Sequence, residues 1–417
     1  MRLVRALGAL AAASALGGLT GCAAGRPLAP PQAQAFAADQ IVLGAGLARL
    51  GDCQACHTSD GGAAFAGGRA IGTPFGTIYA TNITPDLQTG IGRYSRAAFV
   101  RAMRRGVRRD GAQLYPAFPY DHFTYASDGD LGALYAFMMT RRPVPAVTPP
   151  NRLIPPAGFR PVMGLWKALF FRPARFTPSP ARGEPWNRGA YLVQSLGHCG
   201  ACHTPHNALG AERRGQALDG GWAEGWYAPP LNAMSPASTP WTADRLYVYL
   251  RTGLDAGHAA AAGPMGAVVH ELARAPESDV RALSVYLAAQ MQSAPGSRLV
   301  DHAERAAREH PAGATLFAGA CAVCHEPGGG MMLEGRPPLQ LGTPLHEADP
   351  RDTLQIIRQG LKPPAGPSGP YMPAFSDSFT DAQLAELAAY LRTRYADEPP
   401  LPNLAAAAGK ARREGAS

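Results

Sequence analysis

The chain has 417 residues, which is long enough for two to four small domains. Its 48 glycines and 40 prolines indicate short helices joined by loops and argue against extended sheets. The formal net charge of +8 predicts a solvated basic face, or attraction to anionic lipid or an acidic partner. The chain has no Gly-x-Gly-x-x-Gly turn after a strand-like run, so it lacks a nicotinamide or flavin fingerprint.

Residues 1–22 have the pattern of an export signal. A short basic region is followed by an Ala/Leu/Gly-rich run, which ends in Leu-Thr-Gly before Cys22. That ending resembles a bacterial lipobox and predicts Cys22 as the lipidated first residue of the mature chain. The alternative is cleavage after Ala35, which would remove Cys22 and still export the protein. Residues 23–40 are then a linker, and we expect the protein on the periplasmic side of the cytoplasmic membrane.

Six of the seven cysteines lie in three copies of the motif Cys-x-x-Cys-His. In that motif two thiols add to the vinyl groups of a haem, and the adjacent histidine binds its iron. The chain is therefore predicted to carry three covalently bound haem c groups. The attachment residues are Cys53, Cys56, Cys199, Cys202, Cys321 and Cys324, and the iron-binding histidines are His57, His203 and His325.

Two other uses of paired cysteines fit less well. A structural zinc site needs four ligands close together, whereas these pairs are more than 100 residues apart in the chain. A thioredoxin-type redox pair does not require the histidine that follows each second cysteine. Covalent haem accounts for both the spacing and the histidines.

The same pattern of elements follows each motif. An apolar, helix-like run ends in Arg-x-Gly, and a glycine there suits a helix that stops at a left-handed residue. These glycines are Gly106, Gly253 and Gly360. A second amphipathic run then predicts a closing helix in each case, over residues 127–139, 277–291 and 381–394. Thr380 and Gln383 stand at capping-box spacing at the start of the last one.

These repeats predict an all-α protein built from three similar units. Each unit has a helix with the haem motif, a helix ending in glycine, a loop and a closing helix. This resembles the class I cytochrome c fold in three tandem copies. The predicted domains cover residues 41–140, 186–292 and 306–396. We expect loop-rich linkers at 141–185 and 293–305, and a disordered Pro/Ala-rich tail at 397–417.

Two of the units repeat a methionine at one position. Met265 lies twelve residues after Gly253, and Met372 lies twelve residues after Gly360. In the class I cytochrome c fold the sixth iron ligand is usually a methionine on this loop, so Met265 and Met372 are predicted to bind iron. A His/Met pair raises the potential of a haem above that of a haem with two histidines.

The first unit breaks this pattern. Phe118 stands twelve residues after Gly106, and phenylalanine has no atom that can bind iron. The nearest donor is His122, which we predict as the sixth ligand of the first haem. A five-coordinate iron and ligation by a more distant residue are the alternatives.

One apolar segment lies in the predicted first linker. Residues 162–171 are too few to cross a bilayer, which takes ~18–20 apolar residues. Trp166 and the flanking Arg160, Arg172 and Arg175 suit a membrane interface. The alternative is an apolar contact between domains or with a partner subunit.

Three further stretches resemble one protein family. They are residues 66–86 (AGGRAIGTPFGTIYATNITPD), 186–193 (WNRGAYLV) and 263–265 (GPM). They look like the tri-haem cytochrome c subunits of bacterial membrane-bound dehydrogenases, and the resemblance covers about residues 40–396. It implies an electron-transfer subunit without substrate chemistry of its own. Such a subunit accepts electrons from a dehydrogenase catalytic subunit and passes them to ubiquinone or towards an oxidase.

The catalytic partner in that family is a quinohaemoprotein, a flavin enzyme or a molybdenum hydroxylase. Residues 115–124 (YPAFPYDHFT) resemble the branch that serves molybdenum hydroxylases acting on aldehydes or N-heterocycles. The alcohol and sugar branches typically have methionine where this chain has Phe118. We therefore expect a molybdenum hydroxylase as the partner, and no nucleic acid.

Two other functions stay open on the sequence. A five-coordinate first haem would make an enzyme that binds peroxide or oxygen, as in multi-haem peroxidases. A chain without a dedicated dehydrogenase would be a free-standing electron shuttle. The leading prediction is the electron-transfer subunit, and no catalytic residue is assigned.

Overall fold

In the computed structural model the described residues are 26–31, 34–292, 299–329, 336–361, 371–396 and 401–414. Helices dominate these residues, and the strands among them are short. The chain forms two units. The first runs to Thr177 and includes Gln194–His198, and the second comprises Pro178–Val193 and the residues from Cys199 onward.

The first unit contains the first haem motif. Its helices are α1 (Ala38–Leu50), α2 (Cys53–His57), α3 (Arg96–Arg105), α4 (Tyr120–Phe123), α5 (Asp128–Met139) and α6 (Val162–Phe170). Its strands are β1 (Ala70–Thr73), β2 (Gly76–Tyr79) and β3 (Arg152–Leu153). They form one antiparallel sheet in the order β1-β2-β3. The predicted linker 141–185 is therefore not a free connection up to Thr177, because its β3 and α6 fold into this unit.

The second unit contains the second and third motifs. Its helices are α7 (Glu184–Gln194, except its last residue), α8 (Gly200–His203), α9 (Ala243–Thr252), α10 (Pro264–Leu272), α11 (Glu277–Met291), α12 (Ala303–Glu309), α13 (Pro311–Ala320), α14 (Ala322–His325), α15 (Thr343–His346), α16 (Arg351–Gln359), α17 (Asp381–Tyr395) and α18 (Leu404–Glu414), with a 3₁₀ turn at Leu339–Leu341. Two hairpins pair β4 (Gly221–Ala223) with β5 (Trp226–Ala228) and β6 (Leu254–Asp255) with β7 (Ala259–Ala260). The all-α prediction holds for the dominant helices and missed these short strands.

The helix ends follow their sequence signals. A side-chain hydroxyl accepts a backbone N–H at the start of four helices. The hydroxyl is that of Ser95 at α3, Ser127 at α5, Thr242 at α9 and Thr380 at α17. Thr380 also forms the predicted capping box with Gln383. Gly106, Gly253 and Gly360 follow the last residues of α3, α9 and α16, each with a positive φ. The three closing helices, now α5, α11 and α17, are confirmed to within a residue at either end.

A glycine lets an early helix of each repeat cross close to the closing helix. The crossing pairs are Gly44 with Ala133, Gly189 with Ala282, and Gly313 with Glu386. A Cβ added to these glycines would lie 2.0, 2.0 and 2.4 Å from the facing carbonyl oxygen. An aromatic residue stands four positions after each facing carbonyl, namely Phe137, Tyr286 and Tyr390. This shared crossing relates the three repeats to one another position by position.

Residues 404–414 correct the expectation of a disordered tail. They form α18, and its Ala408 and Ala411 are buried against the core of the third repeat. Arg412 donates to Asp381 Oδ1 at 2.7 Å and to the Phe379 carbonyl oxygen at 3.1 Å. The alanine-rich composition hid a helix whose small side chains allow close packing, so disorder over 397–417 was wrong for this stretch.

The predicted linker 293–305 also contains part of the third repeat. Helix α12 begins within it, and the His302 N–H donates to the Arg394 carbonyl oxygen at 2.9 Å. The predicted signal 1–22, with Cys22, lies outside the described residues. Within the described part of the chain no helix is both long and apolar enough to cross a membrane.

Candidate haem sites

Each haem motif occupies one short helical turn, at α2, α8 and α14. Its two cysteines are three residues apart and therefore lie on one side of the turn. Burial, together with the neighbouring cysteine, raises the pKa of Cys199 to about 12 and that of Cys321 to about 11. A thioether bond to a haem suits such a buried position, because a thioether carries no charge.

The motif cysteines do not form a metal site together with other side chains in the described part of the chain. Among the described residues, no group of three or more His, Cys, Asp or Glu side chains with metal-ligand spacing includes a motif cysteine. A four-ligand zinc site built from these pairs therefore has no support in the fold.

Two motif histidines are fixed by backbone carbonyl groups. Nδ1 of His57 lies 2.6 Å from the Thr81 oxygen, and Nδ1 of His203 lies 2.6 Å from the Pro229 oxygen. Nδ1 must carry the proton to donate these bonds, which leaves Nε2 to bind iron. Burial lowers the pKa of His57, His203 and His325 and favours the neutral imidazole that a metal requires.

Met265 lies in the first turn of α10 and is half-buried. Gly263, two residues earlier, has a φ of 52°, and a Cβ there would lie 2.4 Å from the Trp226 ring. A larger residue at position 263 would therefore push the methionine loop away from β5. Met265 as an iron ligand stays a prediction.

Met372 lies on the loop before α17, and its side chain packs on the same apolar core as Cys321. Its carbonyl oxygen accepts the Leu361 N–H at 3.0 Å, and a Cβ on Gly360 would lie 2.4 Å from that oxygen. The glycine after α16 thus lets the methionine loop return beside the helix. The fold brings this predicted ligand and a haem-attachment cysteine to one apolar cluster, and iron binding by Met372 stays a prediction.

His122 is buried in α4, with only 8% of its surface exposed. Its Nδ1 lies 3.1 Å from the Gln194 carbonyl oxygen, an arrangement like that of His57 and His203. Phe118 packs its ring edge-on against Phe123, with 5.2 Å between the ring centroids. The role of His122 as the sixth ligand of the first haem stays a prediction.

The residues at the three motifs fit a covalent haem. Each turn offers two cysteines three positions apart and a partly buried histidine. Met265 and Met372 each lie twelve residues after the glycine that ends the preceding helix. Haem c, when bound, supplies a one-electron iron couple. The residues of the chain attach and orient that group and set the charge around it.

Part of the chain matches one family model. Residues 308–391 match the model described as cytochrome C oxidase, cbb3-type, subunit III. The chain is also similar to a nicotinate dehydrogenase subunit of Pseudomonas putida, at 47% identity over 392 residues. That similarity covers 93% of this chain and 33% of the relative, so the chain spans about a third of that protein's length.

Two other relatives are covered over most of their length. The fructose dehydrogenase cytochrome subunit of Gluconobacter japonicus is 37% identical, over 89% of this chain and 82% of the relative. The cytochrome c subunit of alcohol dehydrogenase (quinone) of Gluconobacter oxydans is 34% identical, over 88% of this chain and 81% of the relative.

The sequence did not predict two parts of the site. The carbonyl partners Thr81 and Pro229 follow their histidines by 24 and 26 residues, and only this similar spacing could have pointed to them. The ion cluster of Arg394, Asp301 and Glu326 joins residues far apart in the chain, and no local pattern indicates it.

Proposed function

Because the chain belongs to the family of cytochrome c subunits of dehydrogenases, we propose that it carries electrons from a catalytic subunit to ubiquinone or an oxidase through three haem c groups. The observation that carries this is the placement of each Cys-x-x-Cys-His motif on one turn, with His57 and His203 held by carbonyl groups. The relatives are named as cytochrome subunits, so a peroxidase activity of the first haem is not favoured.

The haem count is tested by the intact mass of the purified protein. We expect the mass of three haems above that of the polypeptide, and two after Cys→Ser changes in any one motif. Met265→His and Met372→His should each lower the potential of one haem, because methionine favours the reduced iron. Met234, which is 55% exposed, gives the matched control as Met234→His. Fewer than three attached haems in the unchanged protein would contradict the proposal.

For the catalytic partner we propose a molybdenum hydroxylase. The resemblance of residues 115–124 to that branch supports it, and so does the 47% identity to a protein named for nicotinate, which is an N-heterocycle. Purification of the native protein from gently solubilised membranes should bring down a large subunit that contains molybdenum. Flavin or pyrroloquinoline quinone in that subunit would instead indicate another dehydrogenase, and a cytochrome isolated alone would favour a shuttle.

For its place in the cell we propose a lipid anchor at Cys22 on the periplasmic side of the cytoplasmic membrane, assisted by α6. The outer face of α6 is apolar, with Leu165 62% and Leu169 52% exposed. Its inner face carries Lys167, whose Nζ donates to the Arg105 and Gly106 carbonyl oxygens at 2.6 Å each. A helix facing water would have the opposite arrangement, because water strongly hydrates the lysine ammonium and not the leucine side chain.

The residues around the outer face of α6 also suit contact with a lipid surface. Arg172 and Arg175 follow the helix and are exposed, as an anionic headgroup region requires. The Arg26 carbonyl oxygen accepts a hydrogen bond from the Arg101 side chain on α3. The carbonyl oxygen of Arg105, the last residue of the same helix, accepts a hydrogen bond from Lys167. Arg26 lies four positions after Cys22, which is at most about 14 Å of extended chain. A lipid on Cys22 would therefore be tethered to the unit that carries α6.

Flotation with vesicles containing phosphatidylglycerol tests the role of α6. We expect Leu165→Glu combined with Leu169→Glu, made in a Cys22→Ser chain, to reduce binding at least several-fold, because each charge must enter the apolar interface. Leu87→Glu is the control, since Leu87 is 61% exposed elsewhere in the first unit. Unchanged binding would assign the outer face of α6 to a partner subunit instead.

A further inference from the structure

Arg394 is a buried charge near the end of α17, with 5% of its side chain exposed. It binds two carboxylates in a forked manner. Its Nε and Nη2 donate to Asp301 at 2.8 and 3.0 Å, and its Nη1 and Nη2 donate to Glu326 at 2.6 and 3.1 Å. Nη1 also donates to the Tyr390 hydroxyl at 3.1 Å. Forked charge-assisted bonds of this kind fix position as well as charge.

Glu326 ties this cluster to the third haem motif, because it directly follows His325. The other two motifs have threonine at that position. Thr58 Oγ1 accepts the Phe65 N–H, and Thr204 Oγ1 accepts the Leu218 N–H, both at 3.1 Å. The first and second motifs are therefore followed by a neutral local bond, whereas the third is followed by an ion pair with the closing helix.

The helix crossings show which residues correspond to Arg394 in the other repeats. Four positions after the aromatic residues Phe137, Tyr286 and Tyr390 stand Arg141, Gln290 and Arg394. Arg141 lies over the Phe137 ring at 4.1 Å and donates to the Phe137 carbonyl oxygen. No carboxylate among the described residues binds Arg141. The ion cluster is thus a feature of the third repeat.

We propose that Arg394 is a positioning residue for the haem attached at Cys321 and Cys324, and that its cluster with Asp301 and Glu326 sets that haem's potential separately from the other two. The inference rests on the proposed function, since it requires a haem at this motif. The two carboxylates favour the more positive, oxidised iron, and the guanidinium favours the reduced iron. Burial of Arg394 reduces the screening of its charge by water.

The test is a spectroelectrochemical titration of the intact, haem-loaded protein. Glu326→Gln and Asp301→Asn should each raise the potential of one haem, and Arg394→Gln should lower the potential of the same haem. Arg394→Lys keeps the charge without the fork and should lie between the unchanged protein and Arg394→Gln. The affected component is identified as the one that Met372→His also shifts. Arg141→Gln is the matched control and should leave that component in place.

Opposite shifts on removing opposite charges are the result that a merely structural role would not give. Shifts of the same sign in Glu326→Gln and Arg394→Gln, or no shift in either, would overturn the inference. If Arg394→Gln does not fold, the expected rises in Glu326→Gln and Asp301→Asn still decide it. Failure of the proposed function is recognised separately, as a missing third haem in the mass of the unchanged protein.

Discussion

At the scale of single residues, Asp352 is a carboxyl group held in an unusual state. It is 7% exposed, and its Oδ1 accepts the Tyr227 N–H at 2.8 Å. Burial, helped by the nearby Asp349, raises the pKa of Asp352 to about 7 against the opposing effects of the Tyr227 amide bond and of Arg351. Burial also raises the pKa of the neighbouring Glu347, and Asp352 adds to that effect.

This carboxyl predicts that the second unit loses stability as the pH rises. A folded-state pKa above the unfolded value of about 3.9 means that the folded protein binds the proton more tightly, so its stabilising effect is full below about pH 4. That contribution declines as the pH rises through about 7. We expect the melting temperature to fall between about pH 5 and 8, and Asp352→Asn to flatten the fall.

The exposed Asp377 provides the control, because Asp377→Asn should keep the pH dependence of the unchanged protein. A melting temperature that rises over this pH range in the unchanged protein, or the same slope in Asp352→Asn, would contradict the prediction.

The motif residues could be identified from the sequence because the spacing of their cysteines and histidines is local. The sequence did not identify Asp352, whose hydrogen-bond partner Tyr227 is 125 residues away in the chain.

At the scale of elements, each of the three helix crossings has one glycine, and the lack of a side chain there lets the two helices approach closely. Gly313→Ala should destabilise the third repeat by about 1–3 kcal/mol, because its Cβ would meet the Glu386 carbonyl oxygen at 2.4 Å. Gly319→Ala in the same helix has no heavy atom within 4 Å and should stabilise by about 0.5–1 kcal/mol through helix propensity. Denaturant unfolding monitored by circular dichroism measures both changes. Equal effects of the two substitutions would show that the crossing tolerates a methyl group.

The elements that the sequence predicted are those with local signals. The closing helices α5, α11 and α17 have capping residues or apolar residues at helical spacing, and they were placed to within a residue. The strands β1 to β7 are two to four residues long, too short for alternation to be read from the sequence. Helix α18 was missed because its alanines and arginines gain their stability from tertiary contacts with the third repeat.

At the scale of the whole molecule, the second and third repeats share one unit. Arg351 lies over the Trp222 ring at 4.3 Å, and Asp352 accepts the Tyr227 N–H. Ser238 Oγ donates to the Leu341 carbonyl oxygen at 3.4 Å. A three-fold sequence repeat predicts three domains, but it contains no information on contacts between residues a hundred positions apart. The division into three domains therefore stays a prediction, against two units in the fold.

These shared contacts predict the unfolding behaviour of the haem-loaded protein. Calorimetry should resolve two transitions, because the second and third repeats unfold together while the first unit has its own core. Removing the third haem with Cys321→Ser and Cys324→Ser should lower the transition in which the second haem also changes its absorbance. The covalently attached haem stays on the unfolded chain, but its apolar contacts form only in the folded state and stabilise that state. Cys53→Ser with Cys56→Ser should lower the other transition alone. Three transitions, each sensitive only to its own motif, would show that the contacts of Trp222, Tyr227 and Ser238 are too weak to couple the repeats.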